Sequence, residues 1–259
     1  MISFVIPAHN EELWIPRAIS SIRAAMPAAS GPYEIIVVDD ASTDATARVA
    51  REHGAHVVQV AHRQIAATRN SGARVARGGI LFFVDADTLA NRDAIQAGIR
   101  AIQDGAVGGG CMFIFDCPLP LWARILHAMA LAMCRPLKRV GGCFLFCTRS
   151  AFESVGGFSE RHYCSEELVL IEALKRLGCF VVPRPTVITS GRKLHSIPFW
   201  RVPAILFRWR FRCHKRDALD VHYGKLSEAC KGAGPAAVEK SIAQDHTGPH
   251  GGQKTRSPG

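Results

Sequence analysis

The sequence predicts an α/β protein built on a doubly wound, mostly parallel sheet with helices on both faces. Between residues 2 and 103, short apolar runs typical of buried strands alternate four times with stretches of helical periodicity. Such repeated strand–helix steps favour parallel strands that are covered by helices. Three of the four predicted strands also end in polar clusters, and sheets of this kind bind their ligands at the carboxyl ends of their strands.

The elements of the first half follow one another closely. Pro16 opens the first helix, because proline is favoured at the first helical position. Ser42 and Thr43 are predicted to cap the second helix, and Asn91 to cap the fourth. The predicted strands are residues 2–6, 33–38, 56–60 and 80–84, and the helices that follow them end at about residues 26, 52, 76 and 103. The third of these helices is predicted to begin at Arg63.

From Val107 onward the alternation is less regular. Gly178 is a good C-cap for the last of the predicted helices. Beyond residue 223 few large apolar residues remain among much Gly, Pro and Ser, so residues 223–259 are predicted to be a disordered tail. The elements predicted before that tail are a strand at 107–115, a helix at 119–134, a strand at 142–147, a helix at 165–177 and a strand at 179–182.

The net charge of +10 is unevenly distributed. Residues 1–110 contain 10 Arg, no Lys and 11 Asp or Glu, whereas residues 111–259 contain 22 basic and 11 acidic residues. Residues 184–216 contain nine basic residues and no acidic one, interleaved with five Phe and Trp. We expect this segment to contact an anionic or interfacial partner.

Secretion and membrane insertion are not expected from the sequence. The start, MISFVIPAHNEE, has no basic n-region and no cleavage site, and the apolar stretch from Leu119 is interrupted by Arg124 and His127. The nine cysteines form no CxxC pair, which favours free thiols in a reducing cytoplasm. We therefore expect a cytoplasmic protein, with peripheral contact at the inner face of the membrane left open.

Two carboxylates close the fourth predicted strand. In ILFFVDADT only Ala86 separates Asp85 from Asp87, and side chains two residues apart in an extended segment point the same way. Adjacent anions repel each other unless a cation joins them, and hard oxygen ligands suit Mg²⁺ or Mn²⁺ shared with substrate phosphates. An aspartate that caps the next helix is the other explanation. Neither GxGxxG nor GxxxxGK[ST] occurs, which disfavours dinucleotide and P-loop folds.

Six motifs occur in order between residues 3 and 178: FVIPAHNEE, IIVVDDASTD, ATRNSGARVARGGILFFVDADT, GGCFLF, VGGF and SEELVLIEALKRLG. As an ordered set they resemble the inverting family 2 glycosyltransferases of the GT-A fold. The resemblance implies a metal-dependent enzyme of the hexosyltransferase type, which moves a sugar from a nucleotide-diphosphate donor to an acceptor and uses Mg²⁺ or Mn²⁺.

The resemblance also implies roles for individual residues. Within the DxD motif, Asp87 would bind the metal and Asp85 would approach both metal and ribose. Asp39 would contact the base or the ribose, and Arg69 would lie near the base or the diphosphate. The full set of donor-binding residues implied by the family is Pro7, His9, Glu11, Asp39, Arg69, Asp85, Ala86 and Asp87.

The catalytic base implied by the resemblance is Glu167. In the family, the acidic residue that closes a Glu-Asp pair at a helix start takes the proton of the acceptor hydroxyl, and the pair here is Glu166–Glu167. Stabilisation of the helix N-terminus is the alternative role for both glutamates. Lesser candidates for the diphosphate clamp or the metal shell are Arg192, Lys193 and His195, for which a solvated loop is the other explanation.

We expect one catalytic domain at residues 1–222, with a nucleotide-binding half at 1–110, an acceptor half at 111–195 and a basic aromatic helical segment at 196–222. Residues 196–216 would either lie on an anionic membrane near a lipid-linked acceptor or pack on the domain.

Two other functions stay open. A nucleotidyltransferase of sugar nucleotides is disfavoured, because VIPAHNEE lacks a glycine-rich basic loop. A non-enzymatic protein that binds membrane surfaces or nucleic acid has no use for three acidic strand ends, and no nucleic-acid partner is expected.

Overall fold

A computed structural model describes residues 1–26, 31–161 and 166–192. The strands are β1 Ile2–Ala8, β2 Tyr33–Asp40, β3 His56–Val60, β4 Ile80–Val84, β5 Thr88–Leu89, β6 Gly108–Gly110, β7 Met112–Phe115, β8 Phe144–Thr148, β9 Phe180–Val181 and β10 Thr186–Thr189. The helices are α1 Ile15–Ala25, α2 Thr46–Glu52, α3 Ile65–Val75, α4 Arg92–Gln103, α5 Leu121–Cys134, α6 Arg149–Ser154 and α7 Glu166–Leu177.

The main sheet has seven strands in the order β3-β2-β1-β4-β8-β6-β9. β1 pairs in parallel with β2 and β4, and β2 pairs in parallel with β3. The carboxyl ends of these four strands therefore share one edge of the sheet. Only β8 runs against its neighbours β4 and β6, so the predicted mostly parallel sheet is confirmed.

Helices cover both faces of this sheet because its strands are apolar on both sides. Phe4 of β1 packs in one buried cluster with residues of α1 and α4, whereas its neighbour Val5 packs in a second cluster with residues of α3 and α7. Gly72 lets α3 approach the sheet closely, since a Cβ at this position would lie 2.3 Å from Val5 Cγ1. The carboxyl edge of the sheet is thus held by a packed core on each face.

The start of α2 differs from the prediction. The helix begins at Thr46, and Ser42 and Thr43 do not cap it. The Ser42 hydroxyl instead accepts a hydrogen bond from the Asn10 N–H, while Asp44 accepts from the Thr46 N–H. Contacts with the distant β1 loop have therefore displaced the local cap.

Two further boundaries differ. The strand predicted at 107–115 divides at Cys111, because β6 joins the main sheet and β7 joins a separate three-stranded sheet of order β5-β10-β7. The third helix starts at Ile65 and not at residue 63, since Arg63 has a φ of 53°, outside the helical region. The fourth helix is capped as predicted, with the Asn91 side chain accepting from the Ala94 N–H.

Several sequence-based expectations concern residues outside the described part of the chain. These are the segment at 196–222, the tail at 223–259, Ser165 at the predicted start of α7, and Lys193 and His195. Within residues 1–26, 31–161 and 166–192, no helix is long and apolar enough to cross a bilayer. Six cysteines in those ranges form no disulfide with one another.

Candidate functional site

The polar ends of β1, β2 and β4 lie side by side at one edge of the sheet. The parallel register pairs Ala8 with Asp39, and β4 flanks β1 on its other side. The loop after β1 carries Glu11, and the loop after β4 carries Asp85 and Asp87. The structure thus brings together the strand ends that the sequence singled out.

Asp40 has a structural role at this edge. Its carboxylate accepts hydrogen bonds from the backbone N–H groups of Arg63 and Gln64, at 2.9 and 3.1 Å, and from the Thr68 hydroxyl at 2.8 Å. These bonds satisfy donors at the start of α3, in the way that an N-cap does. Asp40 is therefore committed to the fold.

The loops after β1 and β2 are clasped together by side chains of the HNEE and ASTD motifs. Asn10 Oδ1 accepts from the Thr43 N–H at 2.7 Å, and Glu12 Oε2 accepts from the Ala45 N–H at 2.9 Å. Asn10 and Ala41 both have φ values in the left-handed region, 56° and 53°. Such backbone persists only where surrounding bonds enforce it, so the clasp fixes the shape of this edge.

Asp39, unlike its neighbour Asp40, accepts few hydrogen bonds from the protein. The residue is 2% exposed, and its Oδ1 atom has no hydrogen-bond partner among the described residues. Its Oδ2 atom accepts a long bond of 3.4 Å from Gln59 Nε2. A buried acceptor without a donor is unusual, and it indicates a place for a ligand N–H or O–H.

Pro7 and His9 lie at and just after the end of β1. The Nδ1 atom of His9 lies 2.7 Å from the Asp40 carbonyl oxygen, and its Nε2 atom lies 3.1 Å from Nη1 of Arg63. Pro7 pairs with Val38 within the sheet and is buried. Both residues therefore lie at the carboxyl end of β1, next to the strand that carries Asp39.

Arg69 lies at the centre of the site. Its guanidinium donates to Asp85 Oδ1 at 2.7 Å, to Glu166 Oε1 at 2.8 Å and to the Gly142 carbonyl oxygen at 3.1 Å. Burial lowers the pKa of Arg69, but the carboxylates of Asp85 and Glu166 outweigh this and raise the pKa above its ordinary value. Arg69 therefore joins the DxD motif to the first turn of α7; its proximity to the donor stays a prediction.

Glu167 lies next to this ion-pair network and is half-buried. Burial and, to a smaller extent, repulsion from the Glu166 carboxylate together raise the pKa of Glu167 to about 7, although Arg69 opposes the shift. A carboxylate with a pKa near neutrality is suited to take and release a proton. Glu167, at the start of α7, therefore lies near Asp85 and has a pKa that suits a general base.

Arg192 approaches the other side of the DxD motif. The pairing of β10 with β5 leads the chain back to Asp87, whose carbonyl oxygen accepts from the Ser190 N–H at 3.2 Å. The Arg192 guanidinium contacts the carboxylates of Glu11 and Asp87, and it lies over the Trp14 ring at 5.0 Å from the centroid. Glu11 and Asp87 therefore hold one cationic group between them.

The carboxylates fit a divalent cation only in part. Within the described residues, no three His, Cys, Asp or Glu side chains form a ready metal cluster. Asp85 and Asp87 carry carboxylate oxygens of the kind that such a cation binds, and the contact of Arg192 with Asp87 places positive charge beside that carboxylate. Mg²⁺ and Mn²⁺ often take one or two protein carboxylates and complete their shells with water and substrate phosphates, which matches this donor set.

Two residues with only weak sequence signals also lie in the site. Arg192 was a lesser candidate, because nothing local indicated that β10 would pair beside the DxD motif. Gly142 packs against the network, since a Cβ there would lie 3.2 Å from Arg69 Nη2 and 3.4 Å from the Glu167 Cβ. Ala86, between the two aspartates, is buried at 4% exposure and turns away from solvent.

Gly142→Ala is expected to destabilise the protein by about 1–2 kcal/mol, because the added methyl group presses on the buried Arg69 guanidinium. Chemical denaturation measures this change. Gly79→Ala is the matched control, since a Cβ at Gly79 meets nothing within 4 Å and should alter stability by less than about 0.5 kcal/mol. Equal stability of the two variants would contradict the close packing of Gly142 against Arg69.

Comparisons with known proteins agree on one family. The sequence model of glycosyl transferase family 2 matches residues 3–156, more than half of the chain. The chain is 32% identical over 126 residues to validoxylamine A glucosyltransferase of Streptomyces hygroscopicus subsp. limoneus. This alignment covers 45% of this chain and 27% of that protein. It is 38% identical over 108 residues to 4,4'-diaponeurosporenoate glycosyltransferase of Staphylococcus haemolyticus, with coverages of 39% and 28%. The chain thus spans little more than a quarter of the length of these relatives.

A solved structure shares the fold. The mannosyltransferase PcManGT from Pyrobaculum calidifontis, solved with GDP-Man and Mn²⁺, superimposes with a TM-score of 0.62 over 95% of this chain and 79% of that one. The sequence identity is 18%, so the likeness concerns the fold alone. It confirms the GT-A fold that the motif order implied.

Proposed function

The chain belongs to glycosyl transferase family 2, and on this basis we propose that it transfers a sugar from a nucleotide-diphosphate donor to an acceptor hydroxyl. The observation that carries this proposal is that the buried Arg69 holds Asp85 of the DxD motif beside the Glu166–Glu167 pair, while Asp87 lies at the end of the same strand. Metal-ligand carboxylates and a near-neutral base within one site match the needs of sugar transfer from a diphosphate. Family membership favours this function over a nucleotidyltransferase or a non-enzymatic binding protein.

The donor nucleoside would bind across the ends of β1 and β2. Asp39 Oδ1, buried and without a protein donor among the described residues, would accept from an N–H of the base or a hydroxyl of the ribose. Pro7 and His9 would form the edge of this pocket. Glu11 would face the diphosphate side, where Arg192 now contacts it.

Asp85 and Asp87 would hold a Mg²⁺ or Mn²⁺ ion. When bound, such an ion offsets the negative charge that develops on the departing diphosphate. Arg69 keeps Asp85 in place through a bond of 2.7 Å. Arg192 contacts the Asp87 carboxylate and would supply a further positive charge near the diphosphate.

Glu167 would act as the general base. The acceptor oxygen attacks the anomeric carbon as the bond from that carbon to the diphosphate oxygen breaks, and Glu167 takes the hydroxyl proton. A single displacement of this kind inverts the anomeric configuration. Glu166 pairs with Arg69 at 2.8 Å and is 4% exposed, which leaves Glu167 as the member of the pair able to meet an acceptor.

A screen of UDP, GDP and dTDP sugars by thermal shift, with and without Mn²⁺, tests the donor class and the metal together. One donor is expected to raise the melting temperature by several degrees, and more so with Mn²⁺, because a ligand at 100 times its Kd stabilises by about 2.7 kcal/mol. Free nucleosides serve as controls, since they lack the diphosphate. The absence of a shift with every donor and metal would contradict the proposed function.

A further inference from the structure

Helix α5 is apolar and almost entirely exposed. Of its 14 residues only Ala123 is buried. Four large apolar side chains recur every four residues and form a stripe along the helix, with exposures of 70% for Leu121, 54% for Ile125, 55% for Met129 and 61% for Met133. Apolar helices of this kind are usually buried, and a contiguous exposed stripe marks a contact surface.

The contacts of α5 with the described chain hold its inner side and leave the stripe open. His127 Nε2 lies 3.0 Å from the Phe113 carbonyl oxygen, and its ring packs at a tilt against the rings of Phe113 and Phe115 of β7. At the far end, Arg135 Nη2 donates to the carbonyl oxygens of Pro183 and Arg184. The helix is thereby fixed to the fold in a defined orientation.

The charges around α5 select the kind of partner. No Asp or Glu occurs between Asp116 and Glu153. Exposed basic residues lie within the helix and just beyond it, at Arg124, Lys138 and Arg139. An apolar stripe with basic residues beside it, and with no acidic residue in the same stretch of chain, complements a surface that is both apolar and anionic.

Two other occupants fit less well. Residues 193–216 contain seven basic and no acidic residues, so this segment would repel the border of the stripe. A second copy of the chain would bring the same positive charges to the contact. An anionic lipid surface satisfies both the stripe and its border.

We propose that α5 is a docking surface for anionic lipid bilayers. Leu121, Ile125, Met129 and Met133 enter the boundary between headgroups and acyl chains, and Arg124, Lys138 and Arg139 meet lipid phosphates. The helix lies in the plane of the membrane and does not cross it. This contact goes beyond the proposed sugar transfer and does not depend on it.

Co-sedimentation of the full chain with vesicles tests the contact. Equimolar phosphatidylcholine and phosphatidylglycerol should bind the protein, and pure phosphatidylcholine should bind it at least about tenfold more weakly, because each basic residue near an anionic surface adds roughly 1 kcal/mol. The double substitution Ile125→Gln with Met129→Gln should weaken binding about tenfold or more. Val75→Gln, at an apolar side chain of α3 that is 40% exposed, is the matched control and should bind like the unaltered chain.

Three results would overturn the proposal. The first is equal binding to neutral and anionic vesicles. The second is undiminished binding of the double variant, which would assign lipid contact to another part of the chain. The third is a fall of several degrees in its melting temperature, or loss of self-association in sedimentation velocity, which would reveal that the stripe packs against this chain or against a second copy. The donor thermal shift, measured on the same variant, is independent of all three.

Discussion

Asp87→Asn is expected to abolish metal-dependent donor binding and to leave the fold intact. Asp87 follows β4 at the carboxyl edge of the sheet, outside the buried apolar run, and its side chain is 11% exposed. Asparagine keeps the size and one oxygen but removes the charge on which a divalent cation depends. We expect affinity for the donor in Mn²⁺ to fall by about 100-fold or more, since even residues that only support metal ligands cost 10- to 100-fold.

Calorimetric titration with the donor, in Mn²⁺ and in EDTA, measures this loss. Asp104→Asn is the matched control, because Asp104 is exposed at the C-cap of α4 and lies outside the site. Asp104→Asn should still bind the donor more tightly in Mn²⁺ than in EDTA, whereas Asp87→Asn should bind it with the same affinity in both. A variant that keeps metal-linked affinity would remove Asp87 from the metal site.

Local sequence patterns predicted most of the sheet because apolar periodicity is a local property. The runs at β1, β2 and β4 are buried throughout or nearly so, and the amphipathic α1 follows the 3.6-residue period. The division of the strand at Cys111 could not be predicted in this way. The division arises because β6 pairs with β8 whereas β7 pairs with β10, and both partners lie far along the chain.

The site was predictable where a motif ends a strand and unpredictable where distant segments meet. Asp85 and Asp87 follow β4 directly, so their convergence could be inferred from sequence. The position of Arg69 between Asp85 and Glu166 joins residues 16 and 97 positions apart. Arg192 reaches Asp87 only because β10 pairs with β5, and no local pattern encodes that pairing.

Polar motifs also divide into residues that build the site and residues that line it. In the loop after β1, Asn10 and Glu12 accept hydrogen bonds from the loop after β2. Asp40 accepts hydrogen bonds from the segment that leads into α3. The same motifs leave Glu11 and Asp39 for other contacts. Sequence alone does not separate the residues that build the site from those that line it. The hydrogen-bond donors to Asn10, Glu12 and Asp40 lie more than 20 residues away along the chain.

Glu167→Gln is expected to lower kcat by about 100-fold or more, the usual scale for the loss of a general base. Glutamine preserves the size of the side chain and the start of α7, but it cannot take the proton from the hydroxyl group of the acceptor. Donor and metal affinity should stay within about threefold of the unaltered protein, since the charge at Asp85 and Asp87 is untouched. Steady-state kinetics with the donor found by thermal shift, alongside calorimetry, measure both quantities.

The pH dependence of turnover gives this prediction a second readout. The pKa of Glu167 is raised from 4.5 to about 7, so the base is largely protonated below neutrality and active above it. We expect kcat/KM to rise with pH through an acid limb with a midpoint no higher than about 7, because a cation bound near Asp85 would lower the pKa. Residual activity of Glu167→Gln should lack this limb.

Glu166→Gln is the matched comparison, because the two glutamates are adjacent and differ in their partners. Glu166 is paired with the buried Arg69, so its substitution should cost stability, on the order of 2 kcal/mol, with a hydrogen bond to Arg69 retained. Its kcat should fall far less than that of Glu167→Gln. If Glu166→Gln is the inactive variant while it still folds and binds donor, the base is one residue earlier; if both variants turn over normally, the base lies outside α7 and the role given to this pair is wrong.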